Sequence, residues 1–328
     1  MILYDGVIYK LQQSGGVSVL FNELIQRLPP ESYRVECEDL KYPWQRYMAF
    51  PVKAPYDIFH STYYRVPSRK HGAVVATVHD FTYERYVKGP RRWVHTLQKL
   101  RSVASADRII CVSESTKRDL LEFFGHQYEA RIVVVHNGVS ENYFPVAGTP
   151  RCAQLLFVGA RGGYKNFSAV AAAISPLRDL ELLCVGGGAF TRDEVEFLER
   201  TLPGRYRHAG FLSNEALNLE YNRSLALVYP SLYEGFGIPV LEAMRAGCPV
   251  IAVRSSSIPE VAGEAALLLD TGEVEDIRWA VERVLDPVHW GELSRKGQEQ
   301  ASRFSWDVTY RNTLEVYEDI LGRSLTHD

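Results

Sequence analysis

Short apolar, β-branched runs alternate along the chain with longer stretches of helical periodicity, the pattern of a parallel α/β architecture. In the first half this pattern predicts strands at 1–5 (MILYD), 57–60 (DIFH), 73–79 (AVVATVH), 107–113 (DRIICVS) and 131–136 (RIVVVH). Helical spacing marks 17–28, 90–104 and 115–124. The alternation starts afresh at 154–159 (QLLFVG) and continues through 181–186, 225–230 and 249–253, with helices between. Toward the end, 289–303 and 305–321 read as amphipathic helices, the second with Ser305 placed to cap it. The strand runs are apolar nearly throughout, so each sheet should be covered on both faces. Pro145, Gly148 and Pro150 make 141–153 the natural linker. The expected fold is α/β, with two doubly wound, Rossmann-like domains (1–145 and 151–305) facing across a cleft. In such sheets ligands sit beyond the carboxyl ends of the strands.

Bulk properties narrow the function classes. A length of 328 residues exceeds one comfortable core and agrees with two domains. A net charge of only −3 argues against a dedicated nucleic-acid binder. Basic residues outnumber acidic ones in the first 150 positions and the reverse holds in the rest, a bias that fits either different partners for the two halves or chance. The five cysteines include no CxxC pair and two, Cys111 and Cys184, lie inside apolar runs. Reduced, buried thiols in a cytosolic protein are expected, and no metal site. The opening MILYDGVIYK has neither the form of a signal peptide nor that of a membrane span, which points to the cytoplasmic side.

Four stretches carry candidate chemistry. The first is YEGFGIPVLEAMRAG (233–247), after the expected strand 225–230. Pro239 suits a first helical position, Gly247 a helix end, and Gly235 and Gly237 permit close approach of a ligand to the backbone. The helix start exposes unpaired N–H groups and the positive end of the dipole, an anion site, with Glu234 and Glu242 on either side. The same features fit an ordinary glycine turn before a helix. The second is FVGARGGYKNF (157–167), where a doubly wound fold places a phosphate-binding turn. It is not GxGxxG, but Arg161 and Lys165 could hold a diphosphate, the arginine bidentately. The third, SGGVSVL (14–20), offers the Gly15–Gly16 backbone to the same diphosphate. In the fourth, TVHDF (77–81), His79 ends a strand and should face the cleft mouth.

Together with CVSESTKRDL, VVHNGV and FSWDVTY, these motifs resemble the retaining glycosyltransferases of family four, which have the two-domain GT-B fold, and they follow the family's order over most of the chain. The resemblance implies that the last helix, about 306–328, returns to the first domain. It assigns Glu242 to the ribose hydroxyls of a nucleotide, and Glu234 with the Gly235–Gly237 backbone to hydroxyls of the donor sugar. Gly235, Phe236, Gly237, Ile238, Val240 and Glu242, with Gly15 and Gly16, form the expected donor-binding set. His79, Arg161, Lys165 and Glu234 form the expected catalytic set, His79 beside the transferred sugar and the two cations on the diphosphate. Many relatives place the arginine directly after the glycine, whereas here Ala160 intervenes.

The reaction so implied expels a nucleoside diphosphate, whose growing charge fixed cations and a helix N-terminus would stabilise selectively. No D-x-D motif is present, so neither metal nor other cofactor is expected. The resemblance implies retention. Nothing marks a carboxylate nucleophile for a double displacement, front-face attack is the family's favoured alternative, and the sequence does not decide between them. Closure about 141–153 would assemble the site. The motif variants resemble bacterial O-antigen and capsule transferases, which favours GDP-mannose over UDP-hexoses as donor. Arg85, Lys88, Arg91, Arg92, Lys99 and Arg101, with Trp93, Val94, Leu97 and Leu100, read as a basic amphipathic stretch for an undecaprenyl-diphosphate-linked glycan acceptor or the inner membrane leaflet. A solvated helix face over the core has the same pattern. A sugar-nucleotide epimerase or hydrolase and a catalytically silent subunit are the competing functions.

Overall fold

The computed structural model describes residues 1–12, 15–37, 40 and 42–325. The chain forms two compact units, one of Met1–Gly138 with Ser305–Asp328 and one of Val139–Phe304.

The first unit holds strands β1 (Ile2–Tyr4), β2 (Tyr33–Val35), β3 (Ile58–Ser61), β4 (Ala73–Val78), β5 (Arg108–Cys111) and β6 (Ile132–Val134). They pair in parallel in the order β2-β1-β3-β4-β5-β6. Parallel neighbours need crossovers, and the intervening helices bury both faces of the sheet. The core gathers Ile2, Tyr4, Phe21, Ile58, Val75 and Ile110, and the helix Trp306–Leu321 adds Leu314, Val316 and Tyr317. Tyr317 is fully inside this core. Its hydroxyl meets His60 Nδ1 and, at 3.0 Å, the Tyr4 hydroxyl, while His60 Nε2 lies 2.8 Å from Thr77 Oγ1. Ser305 caps the helix by accepting from the Val308 N–H. The chain leaves and re-enters this unit at touching points, since a Cβ on Gly138 would lie 2.3 Å from the Trp306 nitrogen. Only glycine fits there.

The second unit holds β7 (Gln154–Val158), β8 (Glu181–Val185), β9 (Tyr206–His208), β10 (Ala226–Tyr229), β11 (Val250–Val253) and β12 (Leu267–Leu269). These too are parallel, ordered β12-β11-β10-β7-β8-β9. Its core is made of Leu155, Phe157, Leu182, Val228 and Ile251 from the strands, packed on Phe167, Val170, Ile277 and Val281 from helices.

The stretch 141–153, expected as a linker, is bound along the helix Asn214–Arg223 of the second unit. The Phe144 and Val146 N–H groups donate to the side chains of Asn218 (3.0 Å) and Asn222 (2.7 Å), and the Cys152 N–H donates to the Arg223 carbonyl (2.8 Å). Backbone groups that would face water in a loose linker are thus satisfied by two asparagine amides.

Candidate functional site

In the second unit three loops meet at the carboxyl ends of β7, β10 and β11. β7 and β10 are direct neighbours, with Leu155 opposite Ala226, so the loops that follow them lie side by side. Lys165 therefore reaches Glu234, 69 residues further along, and forms an ion pair with it. The ammonium also lies 5.3 Å from the ring centroids of both Tyr164 and Tyr229, which give the charge two aromatic neighbours. The Leu232 N–H donates to the Tyr164 carbonyl at 2.8 Å and fastens one loop to the other.

The third loop braces the second. Ser255 donates to the Ser231 carbonyl (2.8 Å), Ser256 accepts from the Glu234 N–H (2.7 Å), and the Ser257 hydroxyl lies 3.0 and 2.8 Å from the carbonyls of Glu234 and Phe236. Glu234 is held by its backbone on both sides. The serine run 255–257 had drawn no functional reading, although three serines just past a buried strand are a loop signal.

Gly237 caps the helix Ile238–Arg245 with φ 107° and ψ 49°, and a Cβ there would come within 2.8 Å of Ile258 Cδ1. Left-handed backbone and close contact both demand glycine. Pro239 sits in the first turn, as the sequence predicts. Glu242 lies one turn further on. Tyr221 donates to its Oε2 at 3.0 Å, and Tyr143, whose ring meets that of Tyr221 edge-on at 5.8 Å, donates to Asn214. Burial pushes the Glu242 carboxyl up to about 7, while the Tyr221 and Tyr143 hydroxyls pull it back toward the carboxylate. Neither tyrosine was singled out from sequence. Each lies in a segment whose pattern shows only a helix or a loop.

This arrangement offers a cation beside a helix N-terminus, with two carboxylates able to accept hydroxyls. Among the described residues, no three His, Cys, Asp or Glu side chains lie close enough together to hold a metal ion, and no helix is long and apolar enough to cross a membrane.

Residues 22–143 match the family described as Glycosyltransferase Family 4, and residues 144–302 match that described as Glycosyl transferases group 1. The O-antigen chain mannosyltransferase B of Escherichia coli is 30% identical over 80% of this chain and 74% of its own length. The chain belongs to the family-four glycosyltransferases. The serotype-specific mannosyltransferase WbdA of the same species is 27% identical over 75% of this chain, which spans only 33% of that longer protein. Among solved structures, Anabaena HepE in complex with UDP superposes with a TM-score of 0.75 over 97% of this chain and 99% of its own, at 15% identity. Both sheets thus belong to a GT-B fold, and the chain is a glycosyltransferase.

Two members of the expected site in this glycosyltransferase, Arg161 and Val240, are corrected by the structure. Arg161 does not present its charge to a ligand. It is 7% exposed, its Nε donates to Glu194 (3.0 Å), and its two Nη atoms donate to the carbonyls of Gly186 (3.1 Å), Gly188 (2.8 Å) and Ala189 (3.0 Å). The guanidinium also lies 4.7 Å from the Phe190 ring centroid. It braces the glycine turn after β8, which a planar donor fork does well. Phe236 is buried edge-on against Phe304, and Val240 is fully buried with its N–H on the Gly237 carbonyl. Their side chains serve the core, Val240 on the inner face of its helix and Phe236 in the bend that precedes it. Gly235, Gly237 and the half-buried Ile238 remain at the loop and helix start.

In the first unit, Ser14 of the SGGVSVL motif lies outside the described residues. Gly15, with extended φ and ψ of 168° and 165°, precedes the helix Gly16–Ile25, and its carbonyl accepts from the Val19 N–H and the Ser18 hydroxyl, both at 3.0 Å. His79 follows β4, and its N–H donates to the Tyr64 hydroxyl (3.2 Å). Its Nε2 is buried without a hydrogen-bond partner. Burial pushes the ring down to about 4, Asp80 opposing and Lys99 assisting, so His79 is neutral at pH 7. Two cations of the expected basic stretch are also corrected. Arg85 is paired with Asp119 (2.5 Å) and Glu122 (2.8 Å), and Lys99 is fully buried on Glu84 (2.7 Å). Each answers a carboxylate of its own unit. Lys88, Arg91 and Arg92 are exposed.

Proposed function

We propose that this glycosyltransferase moves mannose from GDP-mannose to a glycan or undecaprenyl-diphosphate-linked acceptor in bacterial cell-surface polysaccharide assembly. It acts on the cytoplasmic side, with retention of configuration and without metal or other cofactor. The donor assignment rests on the relatives, since both the O-antigen enzyme and a Mycolicibacterium MMP α-(1→4)-mannosyltransferase are 30% identical to this chain. Structural likeness to a UDP complex at 15% identity speaks for the fold alone.

The observation that carries the reading is the Lys165–Glu234 pair beside the Gly237-capped helix. In the resting chain the two side chains neutralise each other. A bound donor takes both: its diphosphate draws the ammonium and the helix N-terminus, and its sugar hydroxyls donate to the released Glu234 carboxylate. Glu242 accepts the ribose hydroxyls. As the C1–O bond to the diphosphate breaks, its electron pair stays on the leaving phosphate, and Lys165 meets charge that grows only in the transition state. The acceptor oxygen bonds to C1 from the same face and passes its proton to that phosphate. His79, neutral and with Nε2 unpaired, accepts a hydrogen bond from, or donates one to, the transferred sugar.

A thermal-shift panel of GDP-mannose, GDP, UDP-glucose and UDP tests this. At 100 times its dissociation constant a ligand adds about 2.7 kcal/mol. The expected result is a shift with the GDP compounds, undiminished by EDTA and lost in Lys165→Ala. A shift with UDP compounds alone removes the donor assignment, and no shift with any removes the nucleotide site. NMR of the product anomer tests retention.

A further inference from the structure

The first unit carries a surface that the donor site does not use. The helix Pro90–Ser105 turns His95, Gln98, Lys99, Ser102 and Val103 inward. The opposite face is bare, with Trp93 77%, Leu97 58% and Val94 44% exposed. Beside it lies the short 3-10 turn Pro43–Tyr47, fixed by Gln98 Nε2, which donates to the Arg46 carbonyl at 2.9 Å. Met48 and Arg101 line one small cavity there, so the two elements abut. The turn region adds Trp44, 57% exposed, with Tyr42 stacked on it at 5.8 Å, and Met48. Large apolar side chains scattered singly need no explanation, but six on two adjoining elements do.

Charge selects the partner. Residues 85–106 contain no Asp or Glu, and Lys88, Arg91, Arg92 and Arg101 are all exposed. Arg85 and Lys99 are held by carboxylates, but these four make no ion pair among the described residues. We infer that this face docks on an anionic lipid bilayer, Trp93, Leu97, Val94, Trp44 and Met48 seating at the headgroup boundary while the four cations meet anionic headgroups. Aromatic and aliphatic side chains backed by Lys and Arg are what an interfacial element needs. A soluble polyanion would use the cations and leave Leu97 and Met48 in water. The contact is superficial, as no described helix is long and apolar enough to span.

Flotation with phosphatidylcholine vesicles, with and without phosphatidylglycerol, tests the inference. The chain should float with the anionic vesicles only, and salt near 1 M should release it. The double variant Arg91→Glu/Arg92→Glu should lose roughly 25-fold or more in vesicle affinity, from about fivefold per charge. Trp93→Ser/Leu97→Ser should lose binding while keeping the wild-type circular dichroism and melting temperature. Failure to float at low salt overturns the inference, as does flotation that neither variant weakens. Sedimentation without vesicles gives a third result against it: a dimer dissolved by Trp93→Ser/Leu97→Ser would assign the face to a second copy. No donor is present in these measurements, so they stand or fall apart from the donor reading.

Discussion

The two units carry similar sheets and opposite titrations. In the first, burial pushes His60 down to about 3 and His79 to about 4, from 6.5. Below pH 6.5 the unfolded chain takes up protons that the folded unit refuses, so the stability these rings leave intact above pH 6.5 is lost as pH falls toward 4 and 3. Asp5, raised from 3.8 by burial, works against this loss. In the second unit burial raises Glu242 from 4.5 to about 7. Here the folded state holds a proton that the unfolded chain has released, so the contribution is complete below pH 4.5 and is lost as pH rises through 7. Through these groups the first unit is hurt by acid, and Glu242 makes the second sensitive to base. His60 is a satisfied core residue, bonded through both ring nitrogens, whereas Glu242, the proposed acceptor of ribose hydroxyls, accepts from Tyr221 and is half protonated near neutral pH. Desolvation keeps a paired histidine neutral in one and holds a proton on a carboxyl in the other.

The strongest way to probe this contrast is Lys165→Ala. It removes the cation paired with Glu234, and kcat/KM should fall at least about 100-fold, the scale seen when one transition-state donor is lost. Steady-state kinetics reads it, and a fall below tenfold would shift the diphosphate role elsewhere. Next comes Glu242→Gln. With about 1.36 kcal/mol per pKa unit, the variant should gain as much as roughly 3 kcal/mol at pH 8 and little at pH 5, while losing donor binding. Equal gains at both pH values would show that the carboxylate charge is not the cause. In the first unit, hydrogen exchange from pH 7 to pH 4 should show β1, β3 and β4 losing protection before β7 and β10; the reverse order breaks the comparison.

Gly237→Ala forces a left-handed residue against Ile258 and should cost about 1–3 kcal/mol, measured by urea unfolding. The smallest effect is expected of Tyr221→Phe. Losing the 3.0 Å bond that favours the carboxylate should move the midpoint of donor affinity against pH upward by about one unit with little change in stability. An unmoved midpoint would leave Tyr221 a packing residue.

Legibility from the sequence follows neighbours in space. The central strands, buried on both faces, show as unbroken apolar runs and were read as such. β2, β9 and β12 were missed, and all three are sheet edges of three residues each. Tyr33–Val35 and Tyr206–His208 carry an arginine at the middle, since an edge has one flank open and needs no apolar run. The motif around Gly237 was legible because backbone conformation and capping are local. Its partners were not: Lys165 meets Glu234 only through the pairing of β7 with β10. Arg161 was read as a ligand cation because nothing near it shows that Glu194 and the 186–189 carbonyls would claim it. Tyr221 and Tyr143 come to Glu242 from separate segments, without a local signal.

The insertion of Tyr317 between His60 and Tyr4 bears on the order of events during synthesis. The second unit is one continuous stretch, Val139–Phe304, and every residue of its core is synthesised before the helix Trp306–Leu321 is made. The first unit begins earlier and finishes later, its tyrosine- and histidine-lined seam open until that helix arrives. Domains usually complete in the order they are translated. Here the core of the later one is made without interruption, and the earlier one is sealed only by a helix that follows it in the chain.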